Sequence, residues 1–198
     1  MALTKATAEI NAWTSVAQNT MQPFATIDMT GAYAAGISVQ AAIAPSVAHT
    51  GTRFLIQGLA NTSGNADWVD IIPWVDLIGT ADDNAIVSNP LALGATTILT
   101  TDQTGYTVNG LYRFILDGTL INSEIVRQIA TSATPDITIA DGTRIAHVVT
   151  TPLLNIAMSR GFEIPIIYPY ARVIVDNTYD PDGAVVYAKV RSMRVTAL

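Results

Sequence analysis

The feature that most constrains this chain is an alternation of apolar and polar residues with a period of two, which begins near residue 36. Ile37, Val39 and Ile43 occupy one set of alternate positions. Ser38 and Gln40 occupy the other set. Because successive side chains of a β-strand point to opposite faces of its sheet, this pattern predicts a strand that is buried on one face.

Similar short patterns recur along the rest of the chain, separated by turns that contain Gly, Asn or Asp. Their spacing, roughly 8 to 15 residues, is typical of a β-sandwich or barrel. The further predicted strands cover residues 52–57, 68–75, 96–101, 111–116, 124–130, 137–139, 144–149, 170–176 and 184–195. The sequence therefore predicts an all-β fold, an antiparallel β-sandwich of jelly-roll-like form.

Two of these regions allow a more detailed prediction. Pro73 interrupts residues 68–75, and since proline lacks the N–H that a sheet ladder needs, this strand is expected to lie at an edge or to contain a bulge. Residues 177–183, which are rich in Asp, Asn, Pro and Gly, separate the last two strands. That composition is typical of a turn, so residues 170–195 are expected to form a closing hairpin.

The first 22 residues differ from the rest of the chain. Their apolar residues have nearly helical spacing: Leu3, Ala6, Ile10 and Trp13. A helix this short is marginally stable by itself in water. We therefore expect residues 1–22 to form an N-terminal arm or short helix, which either packs on the sandwich or becomes ordered against a neighbouring subunit. Residues 23–198 are expected to form a single β-sandwich domain.

The low charge of the chain limits its partners. Charged residues make up 13% of the sequence and the net charge is −6, whereas nucleic-acid binding depends on clustered Lys and Arg. Nucleic acid is therefore not expected as a partner. The uncharged stretches 29–52 and 84–101 are interrupted by Gly, Pro, Ser, Asn and Thr, so a membrane-spanning helix is not expected either. The N-terminus lacks a secretory signal pattern, which favours synthesis in a cytoplasm.

Catalytic, cofactor-binding and metal-binding residues are not predicted, and the chain is interpreted as a protein that is not an enzyme. Cysteine is absent, which excludes disulfides and thiolate ligands. His49 and His147 are far apart in the sequence, and each lacks an acidic neighbour at ligand spacing. They are interpreted as a turn residue and a strand-face residue. The motifs of a nucleophile elbow, a phosphate-binding loop and a dinucleotide-binding turn do not occur.

Two arrangements of carboxylates were weighed as alternatives. Residues 176–183 contain three Asp and one Asn, which would suit a cation, but their spacing is not that of an EF-hand loop. Asp67 with Asp70, and Asp82 with Asp83, would suit a hydrolase only if two carboxylates faced each other across a cleft. Both sets are interpreted as ordinary turn and strand-flanking residues.

A third alternative rests on the tryptophans. Trp68 and Trp74 are six residues apart, so in a regular strand they would share a face and resemble the stacking platform of a carbohydrate-binding module. Aromatic side chains in a sandwich lie more often in the core. The carbohydrate-binding interpretation is therefore kept as an alternative function.

Several segments resemble small β-sandwich proteins of tailed-bacteriophage particles. Residues 170–178 (YARVIVDNT) and 184–190 (AVVYAKV) resemble the last hairpin of such proteins. Residues 49–52 (HTGT) and 63–68 (SGNADW) are similar to the same group. The resemblance implies a phage virion protein, in particular a capsid decoration (cement) protein on the outer head surface, or else a tail, neck or head-fibre component.

The resemblance also implies the partners. A decoration protein would bind the major capsid protein, would be located in the virion, and would form a homo-oligomer, with a trimer favoured. Some proteins of this group use an N-terminal arm to clasp a neighbour. The residues expected at the interface are therefore apolar residues of the N-terminal segment: Leu3, Ile10, Trp13 and Met21. No cofactor is implied.

Overall fold

The structure, a computed structural model, describes residues 3–24, 26–44, 49–60, 67–79, 87–88, 90–101, 106, 109–131, 136–148, 151–178 and 185–197. In these ranges the chain consists mainly of β-strands joined by turns, with one short 3-10 helix, Leu120–Asn122. The predicted all-β class is confirmed. Within the same ranges, no helix has the length and apolar character needed to cross a membrane.

The strands pair antiparallel in two sheets. They are β1 (Leu3–Val16), β2 (Met21–Pro23), β3 (Ile27–Asp28), β4 (Ala32–Ala44), β5 (His49–Leu59), β6 (Trp68–Gly79), β7 (Thr97–Leu99), β8 (Tyr112–Ile115), β9 (Glu124–Thr131), β10 (Asp136–Ile139), β11 (Leu153–Ile164), β12 (Tyr170–Asp176) and β13 (Val185–Ala197). The larger sheet has the order β1-β13-β4-β11-β8-β9-β10-β7, and the smaller has the order β2-β12-β5-β6, with β3 also paired to β12. The sheets curl into a half-barrel, a sandwich-like arrangement that agrees with the prediction.

The core lies between the two sheets. It is formed by two strand pairs, one of which is nested within the other in the sequence. β4 pairs with β13 in the larger sheet, while β5 pairs with β12 in the smaller sheet. The chain therefore crosses from one sheet to the other after β4 and again after β12. Alternate apolar residues of these four strands are buried together: Ile37, Val39, Ile43, Phe54, Ile56, Val173, Val175, Val186 and Val190. Burial of this apolar surface is the main stabilising contribution to the sandwich.

A second cluster of buried residues lies under β7 to β10. Its members come from the short strands and the loops beside them: Val87, Leu91, Ile98, Tyr106, Ile115, Val126, Ile137, Ile139 and Leu153. The buried side chain of Arg113 lies beside this cluster, where its Nε donates to Gln128 at 2.7 Å and its guanidinium lies 5.0 Å from the Tyr106 ring centroid. This end of the larger sheet therefore has a core of its own.

The closing hairpin predicted for residues 170–195 is wrong, although both of its strands exist. β12 lies between β2 and β5 in the smaller sheet, whereas β13 lies between β1 and β4 in the larger sheet. Both strands contribute to the core between the sheets. Two strands with alternating apolar residues can bury those residues by facing each other across a core as well as by pairing, and here they face each other.

Two further predictions are corrected. β11 was not predicted, yet it pairs with both β4 and β8 in the larger sheet. Conversely, residues 144–149 were predicted as a strand, but the described part contains only a single bridge between His147 and Leu91. β11 lacks a clear alternation because it contains Gly161 and several polar residues. Residues 144–149 show a short alternation although they belong to a loop.

The N-terminal segment forms a strand instead of a helix. β1 pairs with β13 from Leu3 opposite Ala197 to Val16 opposite Val186. The backbone hydrogen bonds that a short isolated helix would supply weakly are supplied by a full-length neighbouring strand. Helical spacing of a few apolar residues is outweighed by this tertiary pairing.

The prediction for Pro73 is confirmed. β6 ends the smaller sheet, so it is an edge strand. Its register with β5 shifts between the pair Phe54 with Val75 and the pair Ile56 with Ile72, which is where Pro73 lies. A residue without an N–H is therefore accommodated by both an edge and a bulge.

Candidate functional site

The outstanding surface feature of the described chain is the free edge of β1. This strand contains 14 residues and ends the larger sheet. Within the part of the chain that the structure describes, it pairs with β13 alone. Its register is regular over residues 3–9, and shifts occur between Glu9 and Asn11 and between Asn11 and Thr14. An edge strand of this kind presents a row of backbone N–H and C=O groups that can pair with another strand.

The sequence of β1 does little to prevent such pairing. Natural edge strands are commonly protected by proline, by charged side chains or by frequent bulges. β1 contains no proline, and Lys5 and Glu9 are its only charged residues. Residues 5–8, in the middle of its regular part, are exposed. The edge is therefore long, regular and accessible.

A groove of about 870 Å³ lies on the larger sheet beside β1. Its lining includes Thr7 of β1, Gly36 of β4 and Met193 of β13. Glu163 and Arg191 are the charged residues of the lining. Because most of the lining side chains are small and uncharged, another surface could pack here with little desolvation of charge.

Trp13, which was predicted at an exposed interface, is buried inside its own chain. It is 6% exposed, and its ring centroid lies 4.5 Å from that of Phe114. Phe114 in turn lies 5.7 Å from Tyr187 of β13. The indole therefore attaches β1 to its own sheet and offers no exposed surface to a partner. The burial of Trp13 was not predicted, because the nearly helical spacing of the apolar residues indicated the exposed face of an arm.

The other predicted interface residues lie on or next to the β1 edge. Leu3 and Ile10 belong to β1, where the structure describes their backbone only. Met21 is 51% exposed and begins β2, the edge strand of the smaller sheet that follows β1 after the turn at residues 17–20. Contacts of these three residues with a partner stay a prediction.

The turn after β12 connects to the end of β1 through Asn177. This buried amide accepts a hydrogen bond from the Thr52 hydroxyl at 2.9 Å and donates to the Val16 carbonyl at 3.4 Å. Its backbone exchanges hydrogen bonds with Asn19 and Thr20. The C-terminal end of β1 is thus held to the smaller sheet, while its free edge remains available.

A buried histidine forms the most concentrated group of ionisable residues in the described chain. The side chain of His147 is 0% exposed. Its Nε2 lies 2.9 Å from Oε1 of Glu124, and its Nδ1 lies 3.2 Å from Oδ2 of Asp117. The two carboxylates therefore hold the imidazole ring from both sides.

Backbone groups position both carboxylates. Glu124 begins β9, and its carboxylate accepts the backbone N–H of Arg144 at 3.0 Å. Asp117 follows β8 in a turn, where its carboxylate accepts the N–H of Thr119 and its own N–H donates to the Ser123 hydroxyl, both at 2.9 Å. The cluster therefore joins the turn after β8, the start of β9 and the segment after β10.

The surroundings of His147 favour its protonated form. Burial lowers the pKa of His147, but the hydrogen bonds to Glu124 and Asp117 and their negative charges outweigh it, so the pKa is raised above 6.5. Both ring nitrogens can donate only when the imidazole is protonated. Protonation of His147 would therefore allow both ring nitrogens to donate to the two carboxylates.

This arrangement suits a structural cross-link better than catalysis. Both nitrogens of His147 are engaged, so neither is available to bind a metal or to exchange a proton with a substrate. Among the described residues, no group of three or more His, Cys, Asp or Glu could hold a metal ion. The sequence concealed the cluster because Asp117 and Glu124 are 30 and 23 residues from His147.

The predicted cation site at residues 176–183 lies mostly outside the described residues. Asp176 itself is buried, and its carboxylate accepts the N–H of Thr178 at 3.0 Å and the hydroxyl of the same residue. This is the geometry of a turn closed by an Asp side chain. Residues 179–184 are not described, so a cation site stays a prediction.

The proposed stacking platform for a sugar is partly occupied. The guanidinium of Arg172 lies 4.1 Å from the ring centroid of Trp68 and therefore covers one face of the indole. Arg172 donates to Oε1 of Gln57 at 2.8 Å, and Gln57 donates to Asp70 at 2.9 Å, which forms a polar ladder across three strands. The side chain of Trp74 lies outside the described residues.

The remaining residues considered from sequence add no assembled site. Asp67 is exposed at the start of β6. His49 begins β5, but its side chain is not described. Asp82 and Asp83 lie outside the described residues. A hydrolase pair stays a prediction that the described residues do not test.

Comparisons with known proteins returned little similarity. No protein-family model matches the chain, and no curated protein matches it. A solved structure, "Structure of infectious bursal disease virus Gx strain", is similar at 8% sequence identity with a TM-score of 0.25. The match covers 99% of this chain and 42% of that chain, so this chain spans less than half of its length. A similarity at this level carries no argument about function.

Proposed function

We propose that this chain is a structural protein of a virus particle and that it works by making contacts with neighbouring subunits. The observation that carries the proposal is the exposed edge of β1, which contains no proline and keeps one register over residues 3–9. A strand edge of this kind is a binding surface, because main-chain hydrogen bonds to an added strand supply affinity without special side chains. In a protein that acts alone, such an edge would promote aggregation.

The surface next to this edge supports the same function. The groove beside β1 is lined mainly by small uncharged residues, and the chain as a whole contains 13% charged residues. Protein interfaces are depleted in charged residues at their centre. Met21, at the start of β2, is a further exposed apolar residue. These features favour packing against protein.

In its finer form, the proposal is that the chain is a capsid decoration protein of a tailed bacteriophage, a homo-oligomer bound to the major capsid protein on the outer head surface. The sequence resemblance of residues 49–52 and 63–68 to such proteins supports it. The resemblance of residues 170–178 and 184–190 to a closing hairpin does not, because these two strands lie in different sheets. In this role the chain needs no catalytic residues and no cofactor. The buried His147 cluster then acts only in holding the fold together.

Stabilisation of a shell by such a protein follows from mass action. A protein that binds the assembled shell, but not its dissociated subunits, stabilises the shell by RT ln(1 + [L]/Kd) for each site. Many copies with modest affinity therefore add a large total stabilisation. The apolar contacts of each copy need not be extensive.

Quantitative mass spectrometry of purified virus particles that contain this chain would test the proposal. Isotope-labelled peptides of this chain and of the major shell protein would give their ratio. A ratio of one, or a simple fraction set by shell symmetry, is expected for a decoration protein. A much smaller copy number, set by tail or neck symmetry, would contradict the decoration role and favour the tail or neck. Absence from the particles would contradict the virion proposal altogether.

A further inference from the structure

We infer that β1 pairs antiparallel with β1 of a second copy of this chain, in a two-fold register centred on Thr7. The larger sheets of the two copies would then continue into each other across the contact. This inference deepens the proposed function, on whose contact-making role it rests, because it names the partner of the β1 edge.

The regular part of β1 provides the geometry for such pairing. Residues 3–9 keep one register with β13, and all their backbone groups on the other side face away from the sheet. A register centred on Thr7 overlaps residues 3–11 of the two copies, which is about 27 Å of strand at roughly 3.4 Å per residue. The first register shift with β13 lies between Glu9 and Asn11, inside this overlap. Residues 5–9 of the two copies therefore form its regular centre, about 14 Å long.

The charges of β1 select the register. Directly opposed residues of antiparallel strands have their side chains on the same face of the sheet. In a symmetric pair of β1 strands, one residue must therefore lie opposite the same residue of the other copy, and the two-fold axis passes between these two residues. Centring on Thr7 places Lys5 of each copy opposite Glu9 of the other copy. Centring on Lys5 would oppose two lysines, which is destabilising. Centring on Glu9 would oppose two glutamates, and the repulsion between them would be only partly offset by Arg191, which lies opposite Glu9 within each copy. Centring on Ala6 or Ala8 would place Lys5 and Glu9 only diagonally across from each other, which is a longer contact than direct opposition.

The neighbouring strand adds apolar surface to this contact. Within one copy, Thr7 lies opposite Met193 of β13, which is 38% exposed. The Met193 side chains of two copies would therefore lie one strand away from the two-fold axis on either side. They would cover part of the groove beside β1 and increase the apolar area that is removed from water.

A pairing of β1 with β1 is isologous and closes with two copies. The trimer that the resemblance favours would instead require β1 to pair with a different strand edge. β2 and β7 contain three residues each, and β6 carries Pro73 and several register shifts, so these edges are poor acceptors. The charge pairing and the shortness of the other edges therefore favour the dimer.

Cysteine substitutions at Thr7 and at Thr14 would test the two-fold axis directly, because the chain contains no cysteine. Opposed Cα atoms of antiparallel strands are about 4.5 to 5.5 Å apart, which is within the range of a disulfide. Under mild oxidation, Thr7→Cys should form a disulfide-linked dimer. Thr14→Cys, on the same strand but outside the overlap, should remain monomeric on a non-reducing gel. Equal cross-linking of both variants, or none for Thr7→Cys with its thiol still accessible to a labelling reagent, would overturn the inference.

A charge reversal would test the register. Lys5→Glu would set two negative charges opposite each other twice per dimer, and the dissociation constant measured by sedimentation equilibrium should rise about tenfold. Arg127→Glu changes the net charge equally at an exposed position of β9, away from the edge, and should leave the constant unchanged. An equal effect of both variants would mean that net charge, and not the pairing, controls association.

These measurements use the purified chain alone, so they are independent of the particle. A chain that cross-links at Thr7 but is absent from particles would support the β1 pairing and refute the virion proposal. A chain that is present in particles but fails to cross-link at Thr7 would refute the pairing and leave the virion proposal standing.

Discussion

The two long edge strands of the sandwich, β1 and β6, differ in how readily they can pair with an additional strand. β6 contains Pro73, has three register shifts with β5 and carries Asp70 and Asp76 in its sequence. β1 also has two register shifts and two charged residues, Lys5 and Glu9, but it has no proline and keeps one register over residues 3–9. Proline, bulges and charge each hinder strand addition. One edge of the molecule is therefore closed to pairing, while the other is open to it.

The contrast between β1 and β6 supports the inference that the free edge of β1 is a binding surface. If strand addition were a hazard for this protein everywhere, both edges would need protection. The protection of β6 alone favours a defined partner for β1. The strand that is open at its edge is also firmly attached on its other side, by its long pairing with β13 and by Trp13. A rigid edge is a better template than a loose arm, because less entropy is lost on binding.

The largest expected effect concerns the attachment of β1. Trp13→Ala removes a buried indole from contact with Phe114, and the resulting cavity should lower the free energy of unfolding by about 3 to 5 kcal/mol. Urea denaturation would measure this. If residues 1–22 acted as a detachable arm, the substitution would leave the unfolding midpoint unchanged, and the contrast between the two edges would lose its structural basis.

The next effect concerns the cluster beside the end of β1, where Asp117 and Ser15 line one groove. The pKa of His147 is raised in the folded chain, so protonation stabilises the fold. This contribution is fully present below pH 6.5, the ordinary pKa of histidine, and is lost as the pH rises through the raised folded-state pKa. The loss should appear as a fall in the unfolding temperature as the pH rises.

Thermal unfolding across this pH range would check the prediction. His147→Gln should be less stable than the parent at low pH and should show a flatter pH profile. A parent profile that rises with pH through this range would contradict a raised pKa at His147.

A smaller effect is expected at the other edge. Trp68 lies on β6, is half-buried and is stacked by Arg172 on the outer surface. Trp68→Ala should lower the free energy of unfolding by about 1 kcal/mol, since an exposed cation–π contact contributes little. A loss as large as that of Trp13→Ala would show that both edges depend equally on their tryptophans. A fluorescence change of Trp68 on addition of glycans would favour the carbohydrate-binding alternative.

The smallest effect on stability is expected from the protecting proline. Pro73→Val restores a backbone N–H at an edge position and should change the free energy of unfolding by less than about 0.5 kcal/mol. Its effect should appear in association, as a concentration-dependent increase in mass in light scattering. Lack of any association would mean that the register shifts and acidic residues of β6 protect this edge without the proline.

The sequence predicted strands wherever local alternation coincided with burial. β4, β5, β9 and β12 were recognised because one face of each strand lies in the core. β11 was missed because polar residues and Gly161 occur in a strand that is paired on both sides. The period-2 pattern depends on a difference between two faces, and it weakens where that difference is small.

The candidate site depended on information that lies far apart in the sequence. The edge of β1 is defined by its pairing with β13, close to the other end of the chain. The cluster around His147 similarly joins residues from three separate segments. Neither has a local motif, so neither was recognised from spacing. The prediction that the N-terminal segment is the contact region was made from sequence, but as an arm and not as the edge of a sheet.

The amino-acid sequence alone was enough to predict the all-β class and an edge or a bulge at Pro73, and it contains the charge pattern of Lys5 and Glu9. These follow from local chemistry: side-chain alternation, a missing N–H and the placement of two charges. The tertiary structure was needed to show that β12 and β13 face each other across the core and that Trp13 is buried. It was also needed to show that the described residues leave one side of β1 unpaired. A strand with one apolar face can bury that face in either sheet of a sandwich, and it can pair with different neighbours within a sheet. Which strands pair is therefore decided by long-range burial and backbone hydrogen bonding.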